Sequence, residues 1–414
     1  EAVDCLTRGL DSVRNLPEGE ARANAELTMR VLLGPALMAI KGYSHADVAA
    51  SYNRAHELVR KVGDAPQMFG ILWGLWAQYF VGGQLHAARE PAEQVVRMAR
   101  ASGDPGLVPP AHHALGFVEC YTAHYPETVR LVEEGLAVFD LARERKNILA
   151  FQFSSALALM NMGATALWML GRPDDARELA ARAKPLAEML RHPPSVAFAI
   201  TSSSWFLQLA GEADRVREVM EAVNRLSEDE GFAFWPPLVS VFGGWAKMAA
   251  GDIGGGADLM LQSFKQYRAI GGGILRTHGF ALLGEGLLEA NRVDEAISTV
   301  NEAIENAHAS GEVHFEPELH RVKGLALAKL AATGGASFEE ALGALEHALA
   351  LARAQGARWL ELRAAVSLAR FYEARENPAR ALDVLAPVCD GIQQGRDTRE
   401  MLDAARLLSG LRER

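Results

Sequence analysis

One spacing runs the length of this 414-residue chain and limits what it can fold into. A small or branched residue recurs at Val48, Ala88, Thr128, Ala176, Val216, Ala257, Ala296, Ala341 and Ala381. Most steps are 39 to 41 residues, and two are longer. Such a period holds two helices and a turn, and is too short for an independent domain. Ala, Leu, Glu and Arg dominate and β-branched runs are few, so the unit reads as helical. A lone helix pair cannot bury its apolar face; it stacks on its neighbour, and the array grows as a solenoid. The expectation is an all-α, right-handed superhelical solenoid of about nine helix pairs. Residues 1–414 then form one elongated unit rather than two or three globular domains.

The stretch Phe280 to Gly311 shows how a unit is written. Phe280, Leu283, Gly284 and Leu287 fall on one helical stripe. Gly284 costs about 1 kcal/mol relative to Ala inside a helix, and close approach of the partner helix is the expected compensation. Asn291 and Arg292 mark a turn, and a second helix from Asp294 to Ala309 presents Ala296, Val300 and Ala303 inward. Gly311 stops it, since Gly adopts the left-handed conformation without a Cβ clash. Gly63, Gly103, Gly231, Gly272 and Gly356 are read as similar stops. Small residues at the eighth and twentieth positions resemble the tetratricopeptide repeat. Leu368, Ala369, Tyr372, Ala381 and Leu385 fit the same frame; Trp76 and Trp245 stand where it wants a small residue.

The step to Ala176 carries about eight extra residues, assigned to the charged segment 140–147. The step to Ala341 carries about five, assigned to a Gly-rich turn at Thr333 to Ser337. Pro91 has two readings: a kink inside a helix that starts near His86, which is favoured, or a benign first-turn proline if the helix starts near Glu90.

Lys and Arg number 42 against 52 Asp and Glu, a net charge of −10. That disfavours nucleic acid, which needs a basic surface. Cys5, Cys120 and Cys389 form no paired spacing, so neither a disulfide framework nor a zinc knuckle is expected, and the cytoplasm is the simple setting. No signal peptide is read, and the apolar run Ala156 to Leu170 is too short to span a bilayer, so no membrane partner is expected. Residues 1–10 read as the second helix of a unit, which implies a chain cut from something longer at its N-terminus.

Candidate chemistry is sparse. The Gly-rich stretches 251–256 and 271–273 lack the Gly-Lys-Ser/Thr end of a phosphate loop and read as turns. His308, His314 and His320, with Glu312, Glu316 and Glu318 among them, have no single-face spacing, so surface or groove positions are favoured over a metal site. His112 and His113 point to different sides of one helix. Pairs such as Asp174-Asp175 and Glu339-Glu340 sit where acidic groups favour a helix N-terminus. With no nucleophile or acid–base set, the chain is expected to be neither an enzyme nor the holder of a cofactor or metal.

The concave wall is more informative. In the tetratricopeptide frame, positions 2, 5, 9 and 12 of each first helix face inward. They place Trp73, Phe80, His113, Phe117, Asn161, Trp168, Trp205, Gln208, His278, Glu318, Arg321 and Arg363 on the wall as candidate binding residues. Cys120, Phe198, Thr201, Phe242, Glu285, Arg370 and Glu373 accompany them. The wall is then aromatic with polar points over its first two thirds and charged over its last third. Aromatic bodies with a few hydrogen-bonding groups suit a peptide or small-molecule groove. The plainer reading is that the aromatics only fill space between adjacent first helices.

Longer stretches carry a further resemblance: Leu33 to Leu37 with Lys41-Gly42-Tyr43, then Leu72-Trp73-Gly74-Leu75-Trp76, then Glu318 to Gly324, then Gly395 to Thr398 leading into a helix. The chain resembles the C-terminal repeat region of bacterial signalling proteins that carry a class III adenylate/guanylate cyclase, a STAND-type ATPase, or both, upstream. Ser154-Ser155 stands where such regions often carry Asp-Pro, so no role tied to that Asp transfers. The resemblance implies a non-catalytic sensor or interaction region. It would take a protein, peptide or small molecule in its groove and regulate upstream domains of the same chain. The alternative is a small-molecule-sensing repeat domain of a transcription activator.

Overall fold

A computed structural model describes residues 2–43, 45–62 and 65–413. The chain opens with α1 (Ala2–Arg14), α2 (Glu20–Lys41), α3 (Ala46–Val62), α4 (Ala65–Val81) and α5 (Leu85–Ser102). There follow α6 (Val108–Tyr121), α7 (Tyr125–Ala137), α8 (Leu141–Phe151), α9 (Ser155–Met169), α10 (Pro173–Ala181) and α11 (Ala183–Leu190). Next come α12 (Pro193–Leu209), α13 (Ala213–Glu230), α14 (Trp235–Ala249), α15 (Ile253–Ala269), α16 (Arg276–Glu289) and α17 (Val293–Ser310). The last are α18 (Glu316–Ala331), α19 (Phe338–Ala354), α20 (Arg358–Glu373), α21 (Pro378–Gly391) and α22 (Arg399–Arg412). No strand occurs among the described residues.

The nine periodic residues fall one each on α3, α5, α7, α10, α13, α15, α17, α19 and α21, and every one has no exposed surface. They are the points where the second helix of a pair meets the first, so the period is a packing requirement. The fold is therefore an all-α, tetratricopeptide-like solenoid of nine helix pairs among the described residues.

Close approach explains the mid-helix glycines. A Cβ on Gly284 would lie 2.8 Å from Val300 Cγ1 of the partner helix. The α14/α15 crossing is tighter: a Cβ on Gly256 would lie 2.5 Å from the carbonyl oxygen of Gly244, which is backbone and cannot yield like a side chain. Gly256→Ala gains about 1 kcal/mol of helix propensity. It is nevertheless expected to lose about 1–3 kcal/mol overall through overpacking. A urea midpoint at or above that of the parent would refute the close crossing.

Several local expectations change. The insertion before Ala176 builds a whole extra helix, α8, started by Asp140, whose side chain accepts from Arg143 N at 2.9 Å. Gly254, Gly255 and Gly256 are not turn residues: Asp252 caps α15 and they form its first turn. The left-handed residue after α15 is Gly271, φ 82°, rather than Gly272. Helix α5 starts at Leu85 and runs through Pro91, so the first-turn reading of that proline fails. Thr333 to Ser337 is a turn, and Ser337 and Glu340 form a capping box. Gly63 lies outside the described residues. The three cysteines are free thiols. No single helix among the described residues is long and apolar enough to cross a membrane; α8 and α9 together reach the length but meet at 94°.

Candidate functional site

The solenoid winds tightly enough for its successive turns to touch. Val313 N and His314 N both donate to the Tyr121 carbonyl, at 3.1 and 3.2 Å, and Tyr125 Oη donates to His314 O at 3.0 Å. Gly273 N donates to Val81 O at 2.8 Å. Asp174 N and Asp175 N donate to Gln394 Oε1 at 3.2 and 3.3 Å, and Arg177 pairs with Asp397 at 3.1 Å. These partners lie 189 to 220 residues apart, so one superhelical turn takes roughly five units. The concave wall closes on itself, and first helices that are distant in sequence face each other across a narrow lumen.

An aromatic chamber of about 100 Å³ lies in that lumen. Helix α4 supplies Trp73, Trp76 and Phe80; α6 supplies His113, Phe117 and Tyr121; α9 supplies Asn161 and Thr165. Helix α12 adds Phe198, Thr201 and Trp205, and Trp235 and Phe242 come from α14. The rings form a chain of tilted and edge contacts, Trp73–Trp76 at 5.2 Å, Trp76–His113 at 5.2 Å, Phe80–Phe117 at 5.3 Å and Tyr121–Trp205 at 5.2 Å. Asn161 Nδ2 donates to Ala199 O at 3.0 Å. The indole nitrogens of Trp73, Trp76 and Trp205 and the hydroxyl of Thr201 are buried and have no hydrogen-bond partner. No Asp, Glu, Lys or Arg lines the chamber. Burial pulls His113 down to about 3, so its imidazole is neutral at physiological pH.

A second cavity of about 400 Å³ lies against the last third of the wall, and it is polar. Arg321, Arg363, Arg370 and Arg399 line it with Glu285, Glu289, Glu400 and Asp403. Behind them Arg321 donates to Glu318 Oε1 through Nε at 2.8 Å and to Glu285 Oε1 at 2.5 Å. Arg363 Nε donates to Glu318 Oε1 at 2.9 Å, and its Nη2 reaches Glu285. Burial alone would raise the Glu318 carboxyl; the two guanidiniums override it and hold it at about 2.

Of the twelve candidate wall residues, Trp73, Phe80, His113, Phe117, Asn161 and Trp205 converge on the aromatic chamber. Gln208, Arg321 and Arg363 line the polar cavity, with Glu318 buried behind it. His278 lies between the two: it bonds Gln208 Oε1 through Nε2 at 2.7 Å and stacks on Phe315. Trp168 lines neither cavity. It is buried against Phe206 and against Trp359 of the adjoining turn, with Arg177 over its ring.

Trp76, Tyr121, Phe153 and Trp235 line the chamber without standing on the predicted wall. Trp76 carried a signal, as a large residue at a small position. Phe153 carried none, because it enters from the link after the inserted helix. The three spaced histidines separate: His308 and His320 face Glu316, at 2.6 and 3.8 Å, while His314 packs between Tyr121 and Trp205. Among the described residues no cluster of His, Cys, Asp and Glu has metal-binding geometry.

No family model matches the chain. An uncharacterised protein of Rhizobium meliloti (strain 1021) is 23% identical over 372 residues, which cover 89% of this chain. The chain spans 35% of that relative's length. Among solved structures, it is similar to a STAND protein with a tetratricopeptide repeat sensor from Pyrococcus horikoshii, at 12% identity and a TM-score of 0.47. That match covers 96% of this chain and 56% of the other. It is also similar to a Rap protein complexed with Competence and Sporulation Factor (10% identity, TM-score 0.40, 100% and 96% covered). The yeast Tom70 is a third (11% identity, TM-score 0.41, 100% and 96% covered).

Proposed function

We propose that the chain is a non-catalytic sensor region whose 414 residues act as one solenoid and bind a small molecule in the aromatic chamber. The observation that carries this reading is a chamber in the lumen walled by rings, lined by no Asp, Glu, Lys or Arg and offering Asn161, Thr165 and Ser202 as its polar points. An apolar ligand seated there buries its surface against the rings, at about 25 cal/mol per Å², whereas rings serving only as filler leave no such space. A small molecule suits the place better than a peptide, because the turns of the solenoid meet around it.

The signal has a route outward. His314 packs on Tyr121 and Trp205 at the chamber and belongs to the loop that ties α6 to the next turn. A ligand that favours one packing of those rings thereby favours one state of the turn-to-turn contact, which differential affinity requires. The attached domains so regulated, an ATPase or cyclase, come from the sequence resemblance, and the cytoplasmic setting from the unpaired spacing of Cys5, Cys120 and Cys389. A protein partner would then dock on the outer faces or the polar cavity.

The test is a thermal-shift screen of this chain against nucleotides, sugars, aromatic metabolites and peptides. A chamber ligand raises the melting temperature by mass action, and Trp205→Ala is expected to abolish that shift. A panel in which only peptides bind, with Trp205→Ala unaffected, would refute the chamber reading.

A further inference from the structure

The polar cavity is lined by four arginines and four carboxylates, and their pairing leaves one charge of each sign over. Arg321 and Arg363 are held by Glu285 and by Glu318 behind the wall. Arg363 also reaches Glu400 at 3.4 Å, and Arg370 pairs with Asp403 at 2.6 Å. Among the described residues of this lining, Glu289 and Arg399 stand in no ion pair, and both are exposed at the cavity. Burial, with the charge of Glu285, pushes the Glu289 carboxyl up, against the pull of Arg399 and Lys329. The two stand close together. Arg363 bridges Glu285 of α16 at 3.1 Å and Glu400 of α22 at 3.4 Å, which brings those helices to either side of one guanidinium. Glu289 is one turn beyond Glu285 on the same face of α16, and Arg399 immediately precedes Glu400. Met248, Leu282 and Val366 give the cavity an apolar side. Its volume, about 400 Å³, lies within the roughly 300–1,000 Å³ of small-molecule sites.

We propose that this cavity binds a free α-amino acid with an apolar side chain, its ammonium donating to Glu289, its carboxylate accepting from Arg399, and its side chain lying on Met248, Leu282 and Val366. A lone anion would complete Arg399 and leave Glu289 without a partner, and a lone cation would do the reverse. A ligand carrying both charges gains a charge-assisted bond at each end. The short reach between the two residues suits an ammonium and a carboxylate that share one carbon, whereas the terminal charges of a peptide lie further apart. A seated amino acid links α16 to α22, first helices three pairs apart, so its occupancy favours one curvature of the wall. This site is separate from the aromatic chamber and does not rest on that reading; it leaves the outer faces to a protein partner.

Titration calorimetry on the intact chain tests this with L-leucine, L-valine and L-methionine, and with leucine amide and N-acetylleucine. The amide lacks the carboxylate and the acetyl compound lacks the ammonium. At least one of the free amino acids is expected to bind, and leucine about ten- to a hundredfold more tightly than either analogue, for the loss of one charge-assisted bond. Glu289→Gln is expected to weaken leucine by a similar factor and to leave N-acetylleucine unchanged. Arg399→Gln is expected to weaken leucine and to leave leucine amide unchanged. Both residues are exposed at helix ends, so the melting temperatures of the unliganded variants should match that of the parent. An analogue that binds as tightly as leucine, or leucine binding unchanged in both variants, would overturn the proposal. So would trileucine binding more tightly than leucine, which would make the cavity a peptide groove, or no binding by any of the three amino acids at millimolar concentration.

Discussion

Replacing Arg321 by alanine is expected to lower the unfolding free energy by about 3–5 kcal/mol. The guanidinium is the main hydrogen-bond partner of Glu318, and both side chains are almost wholly buried, at 6% and 4% exposed. Without Arg321, Glu318 keeps only Arg363, and its second oxygen already lacks a partner. Carboxylates held this far from water do not tolerate the loss of a counter-charge, whereas losing an exposed pair costs about 0–1 kcal/mol. Arg370→Ala, which breaks an exposed pair with Asp403, is the matched control. The double variant Arg321→Met/Glu318→Gln removes the stranded charge and should recover much of the loss. Urea midpoints decide it: equal losses for Arg321→Ala and Arg370→Ala would mean that water reaches the network.

Glu312→Gln is expected to stabilise the protein at pH 8 and to do nothing of the kind at pH 5. Glu312 is buried in the loop between α17 and α18. Its Oε1 accepts from Thr277 N at 2.9 Å and Thr277 Oγ1 at 2.7 Å, and its Oε2 has no partner. Burial pushes its carboxyl up to about 7 from 4.5, against the pull of the Thr277 bonds and Arg276. A group raised in this way holds its proton longer in the folded state than in the unfolded chain. The resulting stability is whole below pH 4.5 and is lost as pH rises to 7. The loss across that window is about 3 kcal/mol, at 1.36 kcal/mol per unit. Glutamine keeps the shape of the protonated acid and has no proton to lose. Its advantage over the parent should therefore grow between pH 5 and pH 7 and then level off. Parallel melting curves for the two proteins over that range would show that Glu312 ionises in place without cost.

The parts of this architecture that repeat were legible before any coordinate. Ala88, Ala257 and Ala381 announce their buried contacts because every unit needs a small residue at the same crossing. The inward positions were legible too, since Trp73, Phe117 and Trp205 follow from helical register alone. What the register could not convey is which inward residues meet. Trp205 reaches Tyr121 and His314 because about five units complete a turn, and that pitch arises from many small inter-pair angles that no local pattern encodes. Trp168 differs for the same reason: helical register carries no sign that Trp359 of the adjoining turn packs against it. The inserted helix α8 is not legible because Asp140 to Asn147 is charged, and a charged stretch can be a solvated helix as well as a loop. Gly254 to Gly256 went astray because Asp252 supplies the cap that lets three glycines start a helix.

The bonds between successive turns also bear on how the chain acquires and loses its shape. Repeat arrays ordinarily melt piecemeal, because each unit answers only to its neighbours. Here Tyr121 is tied to Val313, Val81 to Gly273 and Asp174 to Gln394, so the loosening of one end is felt near the middle. The array should come apart more nearly as a single event than a linear stack of the same length. Contacts this distant along the chain also form late, after a large loss of loop entropy. The slow phase of refolding should then be the seating of one turn upon the other, after the individual helix pairs have formed.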